Sequence, residues 1–481
     1  MKRVIAGIVF WVALVFLAFG PLPAAGVLPP YEDGNTSLVS SAIVVDAVSG
    51  NDATAMRGRE GRPYRTLGAA FAAIQNGDLV TIRPGVYAVT RPGMPDNSDD
   101  YANHTNATFV LKNLTNVTIR GTGAVLASTG LGNVLSIVDC ERVRVEGLTF
   151  QGGGMNPVIP EQICGEAVLW GTNLGLAFVN VRFQDFPNHG ILVSQREKTS
   201  YNTMISGCTF TRGGTTNHTA LTVDGAAVAS TGPGMRVENC LFDLVARGVE
   251  IEGSGTLPKG PAVIVGNIFT NIVNQGIILL ATDNKGTNLN EVLISGNLIA
   301  MNKGPTTAQG QYGITASGGR RLQIIGNTVS RVNNTGISLT TAHGDLRDCM
   351  ISGNILTECG TSIAVADSNA RGLWDCTITG NLSVSNSSVS GANIVSGNSI
   401  QFAGNTVAGA AGYGLHVKQP GAGNTTYVNV QGNLFRATQY AAVQNSSGVF
   451  GTTIIGNNFR QCSASISDAG TSTFTNSNTA P

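Results

Sequence analysis

A short phrase recurs along most of this chain and constrains the fold more than any other feature. It reads as a β-branched residue, any residue, Gly, Asn, then an apolar or Thr pair. The copies are Val-Gly-Asn267-Ile-Phe, Ser-Gly-Asn297-Leu-Ile, Ile-Gly-Asn327-Thr-Val, Ser-Gly-Asn354-Ile-Leu, Thr-Gly-Asn381-Leu-Ser, Ala-Gly-Asn405-Thr-Val, Gln-Gly-Asn433-Leu-Phe and Ile-Gly-Asn457-Asn-Phe. Degenerate copies precede them at Leu148, Val181, Cys208 and Cys240, and successive copies lie 24 to 33 residues apart. Helical repeats hold their length more tightly and carry long helix-forming stretches. Here the runs inside each copy are short and alternating, as in Gly-Ile191-Leu-Val193 and Gly-Val249-Glu-Ile251, which is a strand signal. A variable repeat holding three short strands predicts one coil of a parallel β-solenoid, with coils stacked about 4.8 Å apart. The composition agrees: Gly is 62 of 481 residues and only 12% are charged, which suits strands and turns and not helical bundles.

Stacking gives the repeated residues a physical role. Asn side chains at one position on successive coils can hydrogen-bond along the axis as a ladder, and the preceding Gly permits the bend. The ladder is therefore read as structural. Cys208 and Cys240 occupy the ladder position on neighbouring turns, and Cys349 and Cys376 each stand five residues before a ladder Asn. The spacing of stacked strands falls within disulfide range, but buried thiols also pack as small hydrophobes, and stacked thiols are the expectation. A second column, including His189-Gly-Ile191, Arg247-Gly-Val249, Gln275-Gly-Ile277, Tyr312-Gly-Ile314, Thr335-Gly-Ile337 and Tyr413-Gly-Leu415, follows each ladder phrase. Its first residue is placed at a turn edge and its apolar residue inside.

The first 110 residues differ. Lys2 and Arg3 precede the apolar run Val4 to Phe19 and the small residues Pro23-Ala24-Ala25-Gly26. This is the order of a secretory signal, expected over 1–25 and followed by a linker over 26–41. Residues 42–110 read as a cap: Arg62-Pro63-Tyr64-Arg65-Thr66-Leu67, an Ala-rich helix started by Thr66, Gly77-Asp78, and Val80-Thr81-Ile82-Arg83-Pro84-Gly85-Val86-Tyr87. This phrase, with the repeats, resembles the right-handed parallel β-helix proteins of the pectate-lyase superfamily. The resemblance implies an all-β right-handed parallel β-helix solenoid with a short N-terminal capping helix. Repeats are expected over 111–462 and a polar C-terminal tail over 463–481.

The resemblance also implies a groove for an extended polysaccharide, worked on by lyases, hydrolases or epimerases. Aligned on the Gly-apolar column, His189, Thr219 and Arg247 fall on successive edges, with His218 beside Thr219. Farther along the strands, Ser194, Asp224 and Glu252 align facing outward, about 5 Å apart on neighbouring coils. Two carboxyls that close split their pKa values, which suits an acid and base pair. Asp224, Glu252, Arg247 and His189 are the catalytic candidates. Glu250, His218, Asp185 and Lys198, with Arg196, are the candidates for lining the approach. The plain alternative is a solvated surface, with Asp224 and Glu252 in ordinary salt bridges to Arg247 or Lys259. His343-Gly-Asp345 reads first as a loop turn. No metal site is expected. Asp96-Asn97-Ser98-Asp99-Asp100 raises Ca²⁺ as a cofactor but lacks the Gly and distal Glu of an EF-hand loop.

The formal net charge is zero and no long basic run appears, which speaks against nucleic acid as a partner. No membrane association is expected once a signal is removed. The paired-Asp and Gly-His-Gly phrases of polygalacturonases and the Arg-x-Pro-x-x-Arg phrase of pectate lyases are missing. Three readings stay open: a secreted polysaccharide lyase or related hydrolase, a non-catalytic adhesin-like or glycan-binding β-helix, and a viral or phage spike-type glycan binder.

Overall fold

The computed structural model describes residues 41–92, 106–130, 132–153, 165–194, 202–214, 225–230, 234–253, 261–281, 289–301, 311–366, 372–385, 390–395, 397–418 and 425–479. Short strands within them coil into three parallel sheets, called A, B and C in the order the chain visits them after the cap. Sheets B and C each hold fourteen strands, and sheet A holds twenty because four coils cross it in two pieces and strands Ser41–Val45 and Phe474–Asn476 extend its ends. Every pairing is parallel and joins strands of successive coils. For example, Arg247–Gly253 pairs with Gln275–Ala281, with Val249 opposite Ile277. The chain is a parallel β-helix.

The inward columns explain the stack. Sheet A contributes Phe178, Ile205, Val237, Ile264, Ile294, Ile324, Ile351 and Ile378, all buried. Sheet B contributes Phe150, Phe183, Phe210, Phe242 and Phe269, whose rings stack nearly parallel with centroids 4.5 to 5.2 Å apart. Identical side chains one coil apart thus use the strand spacing itself as a packing distance. Facing this column from sheet C is a column of glycines. A Cβ on Gly248 would lie 2.4 Å from a ring carbon of Phe269, and one on Gly190 2.8 Å from Phe210. The Gly of the second sequence column is there for close approach, and its neighbours Ile191 and Val249 also point inward.

The expected ladder forms at the corner between sheets A and B. Each Asn side-chain amide donates to the side-chain oxygen of the Asn on the next coil. The Nδ2–Oδ1 distances are 2.9 Å for Asn267 to Asn297 and 3.0 Å for Asn327 to Asn354. The acceptor oxygen also takes the backbone N–H of the Asn before it. The preceding Gly residues hold φ between 61° and 64° from Gly296 through Gly456, a left-handed conformation that a Cβ-bearing residue disfavours. The ladder runs past the expected boundary at 462. Strands Ala464–Asp468 and Phe474–Asn476 add a last coil, and Asn457 bonds to Asn478. This segment's polar residues are thus ordered by the same amide bonding that orders the repeats.

The cysteines stack as thiols. Cys140, Cys208, Cys240, Cys349, Cys359, Cys376 and Cys462 are free, and all but Cys462 are buried. A hydrogen bond with Cys208, together with burial, pushes the Cys240 thiol far up. Cys376 and burial do the same to Cys349.

At the N-terminal end, helix α1 (Leu67–Ala72) starts at Thr66, whose side chain accepts from the Ala69 N–H, and buries Leu67 and Ala70. Strand Ser41–Val45 pairs with Asp78–Ile82, in which Asp78 is buried. That buried carboxylate is held by Arg57 at 2.6 and 2.8 Å. Phe71 of α1 stacks on Phe109 at 4.6 Å. The cap therefore closes apolar coils that would otherwise meet water.

Candidate functional site

Connections from sheet A to sheet B stay two residues long in most coils, as in Gly207-Cys208 and Gly266-Asn267, whereas those that flank sheet C vary. The outer face of sheet C is therefore the one bordered by the chain's insertions. One outward column on this face reads Val168, Leu192, Ala229, Glu250, Ile278, Thr315, Ser338 and Ala364. Val168, Leu192, Ala226 and Ala229 form a small buried apolar cluster of their own. Glu250 breaks the apolar start of this column.

The register corrects the expected alignment. Val228 lies opposite Ile191 and Val249. Ala226, and not Thr219, therefore stands between His189 and Arg247. The phrase Thr219-Ala-Leu imitates the repeat, but the strand is Ala226–Ser230, with Ala227 in the slot that Gly fills on other coils. Ala229 is opposite Glu250, so the place opposite Glu252 belongs to a residue beyond Ser230. The Asp224–Glu252 stacking drawn from the sequence does not follow from this register. Asp224, His218, Thr219, Arg196, Lys198 and Lys259 lie outside the described residues, as do Asp96 to Asp100.

The other candidates resolve into partners. His189 is buried at the turn edge, with Nδ1 3.1 Å from the Ala226 carbonyl oxygen and 3.3 Å from its nitrogen. Asp185 sits at the corner between sheets B and C with φ 54°. It takes both arms of Arg212, at 2.6 and 2.9 Å, and this carboxylate raises the Arg212 guanidinium. Asp185 is therefore committed to a cross-coil ion pair. Arg247 Nη1 donates to Glu250 Oε2 at 3.1 Å, and the two side chains are only 17% and 14% exposed. Glu252 points the same way as Glu250 on the same strand and is half-buried. Its register neighbour is Leu280. His343 Nδ1 lies 2.8 Å from Ser317 Oγ, which also accepts from Thr340, while Asp345 pairs with Arg347 at 3.3 Å. That cluster anchors a turn, as expected.

The structure thus gathers Arg247, Glu250 and Glu252 on one strand, with His189 two coils away. Residues two apart on a strand share a face and lie about 6.6 Å apart. Two carboxyls that share a face in this way can both reach one glycosidic bond, the arrangement that acid and base hydrolysis of glycosides uses. Sequence reasoning paired Glu252 across coils and overlooked this same-strand partner. The i, i+2 spacing in Glu250-Ile251-Glu252 was the available signal.

A second ionic feature escaped the sequence reading altogether. Arg91 and Glu166 form a fully buried ion pair, in which Arg91 also donates to Ser128 Oγ and to the Gly132 carbonyl at 2.8 Å each. Glu166 stands in the inward slot that Gly190 fills on the next coil. Burial raises its carboxyl pKa, while Arg91 pulls it down. Its Oε2 and the Arg91 Nε have no hydrogen-bond partner among the described residues. A charged residue in a Gly slot was the signal.

This architecture and its corner ladder define a right-handed parallel β-helix protein. A family model described as a right-handed β-helix region matches residues 312–479, and one described as the periplasmic copper-binding protein NosD matches residues 184–370. No curated protein matches the chain. Among solved structures, a tailspike protein of the E. coli bacteriophage HK620 aligns at TM-score 0.50 and 13% identity, covering 83% of this chain and 73% of its own. The catalytic unit of an α-1,3-glucanase from Streptomyces thermodiastaticus aligns at TM-score 0.48 and 17% identity, covering 86% and 65%. The A-module of a mannuronan C-5 epimerase from Azotobacter vinelandii aligns at 0.40 and 13%, covering 86% and 93%. At these identities the likeness is one of fold.

Proposed function

We propose that the protein is an exported glycan-cleaving enzyme whose reacting groups are Glu250 and Glu252 on the outer face of sheet C. The observation that carries this reading is the pair itself: two carboxyls facing one way on one strand, on the face bordered by insertions. Arg247 holds Glu250 in place, which suits a base that must aim at a water or a ring proton. Glu252 makes no ion pair among the described residues and is the acid that protonates the departing sugar oxygen. His189 borders the site from the turn edge. The glucanase and the mannuronan epimerase named above act on glycans by their descriptions, and a tailspike of the same phage is described in complex with a hexasaccharide; these are likenesses of fold.

The matched NosD family is described as copper-binding. Among the described residues no three His, Cys, Asp or Glu side chains gather, and His189, His343 and His416 stand on separate coils. No helix of the described residues is long and apolar enough to cross a membrane; export rests on the signal-like sequence of residues 1–25.

The test is a panel of acidic and neutral polysaccharides, following reducing ends and unsaturated products together, with and without Ca²⁺. Hydrolysis that falls at least a hundredfold in Glu250→Gln and in Glu252→Gln, with folding intact, supports the assignment. Unsaturated products would make the enzyme a lyase and reassign the acid. Cleavage that survives both changes would remove the pair from the mechanism.

A further inference from the structure

Six strands beyond Glu250 on sheet C, about 29 Å along the axis at the spacing of paired strands, the outer face changes character. The strands Ser390–Val395, Tyr413–Lys418 and Ala441–Asn445 lie side by side. The column that holds Ala364 on the coil before now holds Asn393 and His416 in register. Lys418 follows His416 on the same face. The Tyr413 ring lies 4.6 Å from the His416 ring and 5.4 Å from the Tyr440 ring. Tyr440 is 53% exposed, so this trio reaches the solvent-exposed surface.

The polar groups beneath the rings are incompletely used. His416 Nε2 lies 3.1 Å from Ser446 Oγ. Its Nδ1 and the Asn393 side-chain oxygen are both shielded from solvent and without a hydrogen-bond partner. A shielded polar atom without a partner is costly, so the Asn393 and His416 side chains both gain by turning toward a ligand's hydroxyls where Tyr440 opens the site to solvent. Desolvation first, then the charge of Lys418, lowers His416 to about 4, so the ring is neutral near pH 7 and offers one donor and one acceptor. Lys418 makes no ion pair among the described residues, which leaves its ammonium for an anion.

Aromatic rings at the surface, neutral donors and acceptors and a single cation are what a sugar ring carrying a carboxylate requires. We propose that Tyr413, Tyr440, His416, Asn393 and Lys418 form a binding site for a uronic-acid residue of a glycan, separate from Glu250 and Glu252. The ring lies on Tyr440 and Tyr413, its hydroxyls bond to His416 and Asn393, and its carboxylate meets Lys418. The site rests on the glycan reading for its ligand class but not on cleavage, so binding and turnover are measured apart.

The experiment is calorimetric titration of the full chain with galacturonate, mannuronate and glucuronate-containing oligosaccharides, each beside its neutral counterpart, at low and high salt. Ring signals of the labelled histidines are followed in parallel. At least one uronate oligosaccharide is expected to bind, to shift the His416 ring signals, and to weaken as salt rises. Tyr440→Ala, at an exposed position, should weaken binding about tenfold. Lys418→Gln should remove the preference over the neutral counterpart. Unfolding curves of both variants confirm that they fold. Three results would overturn the proposal: no binding of any uronate oligosaccharide, equal binding of the neutral partner, or binding untouched by both substitutions. Loss of cleavage alone bears on Glu250 and Glu252 and leaves this site standing.

Discussion

Asn354 offers the sharpest test of what holds the coils in register. Its amide nitrogen donates to Ile324 O at 2.9 Å, to Asn381 Oδ1 at 2.9 Å and to Ser352 O at 3.2 Å. Its oxygen accepts from the Asn327 backbone N–H at 2.9 Å and from Asn327 Nδ2 at 3.0 Å. Asn354→Ala removes all of these. Asn327 Nδ2 keeps the Ile294 carbonyl, and Asn381 Oδ1 keeps the Asn354 backbone N–H. The Asn327 backbone N–H keeps nothing and stays buried. An orphaned buried donor costs about 1–3 kcal/mol, and each lost neutral hydrogen bond about 0.5–1.5 kcal/mol. The orphaned donor and the two side-chain bonds to Asn327 and Asn381 alone come to about 2–6 kcal/mol.

The control is Asn429→Ala. Asn429 lies on the outer face of sheet A, half-buried, and should change stability by less than about 0.5 kcal/mol. Urea unfolding followed by circular dichroism gives the difference, and hydrogen exchange locates it. The Asn327 amide should lose protection first, because a solenoid's stability is a sum of neighbour interfaces. Equal cost for Asn354→Ala and Asn429→Ala would refute the account of the ladder as a set of obligatory bonds.

Three further outcomes follow from the packing and the charges. Gly248→Ala should cost more than about 1–3 kcal/mol, because its Cβ would lie 2.4 Å from Phe269 and 2.5 Å from the Gly276 carbonyl. Gly296→Ala, at φ +63° with open space, should cost only about 1–2 kcal/mol of backbone strain, and urea midpoints rank the two. Glu166→Leu alone should cost about 3–5 kcal/mol by stranding the Arg91 charge, whereas Arg91→Met with Glu166→Leu should recover most of it; a double variant no better than the single one would contradict this. His416 titrates near 4 folded against 6.5 unfolded. The unfolded chain therefore binds the extra proton first, and the contribution present above about 6.5 is lost as pH falls toward 4. Histidine ring signals give the folded value, and Tyr413→Leu, which opens the ring to water, should raise it.

The fold was readable because its determinants repeat. A ladder Asn after a Gly in the left-handed region recurs on eight coils, so chance agreement at one copy hardly matters. The thiol stacks and the helix started by Thr66 followed from the same register. The strand from 226 to 230 was misread because its phrase has Ala227 where others have Gly, while Thr219-Ala-Leu, in an insertion, looks like a copy. Register along one column depends on which residues are strand and which are insertion, and insertion length carries no repeated signal. The last coil was taken for a tail because Ser and Thr replace its apolar residues, although Asn478 keeps the ladder.

The same contrast explains why the chemistry was harder to find than the fold. In a stack of coils each column has a typical occupant, set by what touches it one coil above and below. Glu250 interrupts an apolar column, Glu166 enters a column of glycines, and Asn393 with His416 follows Ala364 in a column that carries no other ring. Each substitution gives up packing with its neighbours, and repetition offers nothing in return. A binding or reacting role is a reason for such a break where the residue faces outward, as Glu250, Glu252 and His416 do. For the inward Glu166 the ion pair with Arg91 is the local compensation. Columns aligned by structural register therefore locate candidate chemistry that residue type alone does not, and direction across the sheet separates the candidates from the core.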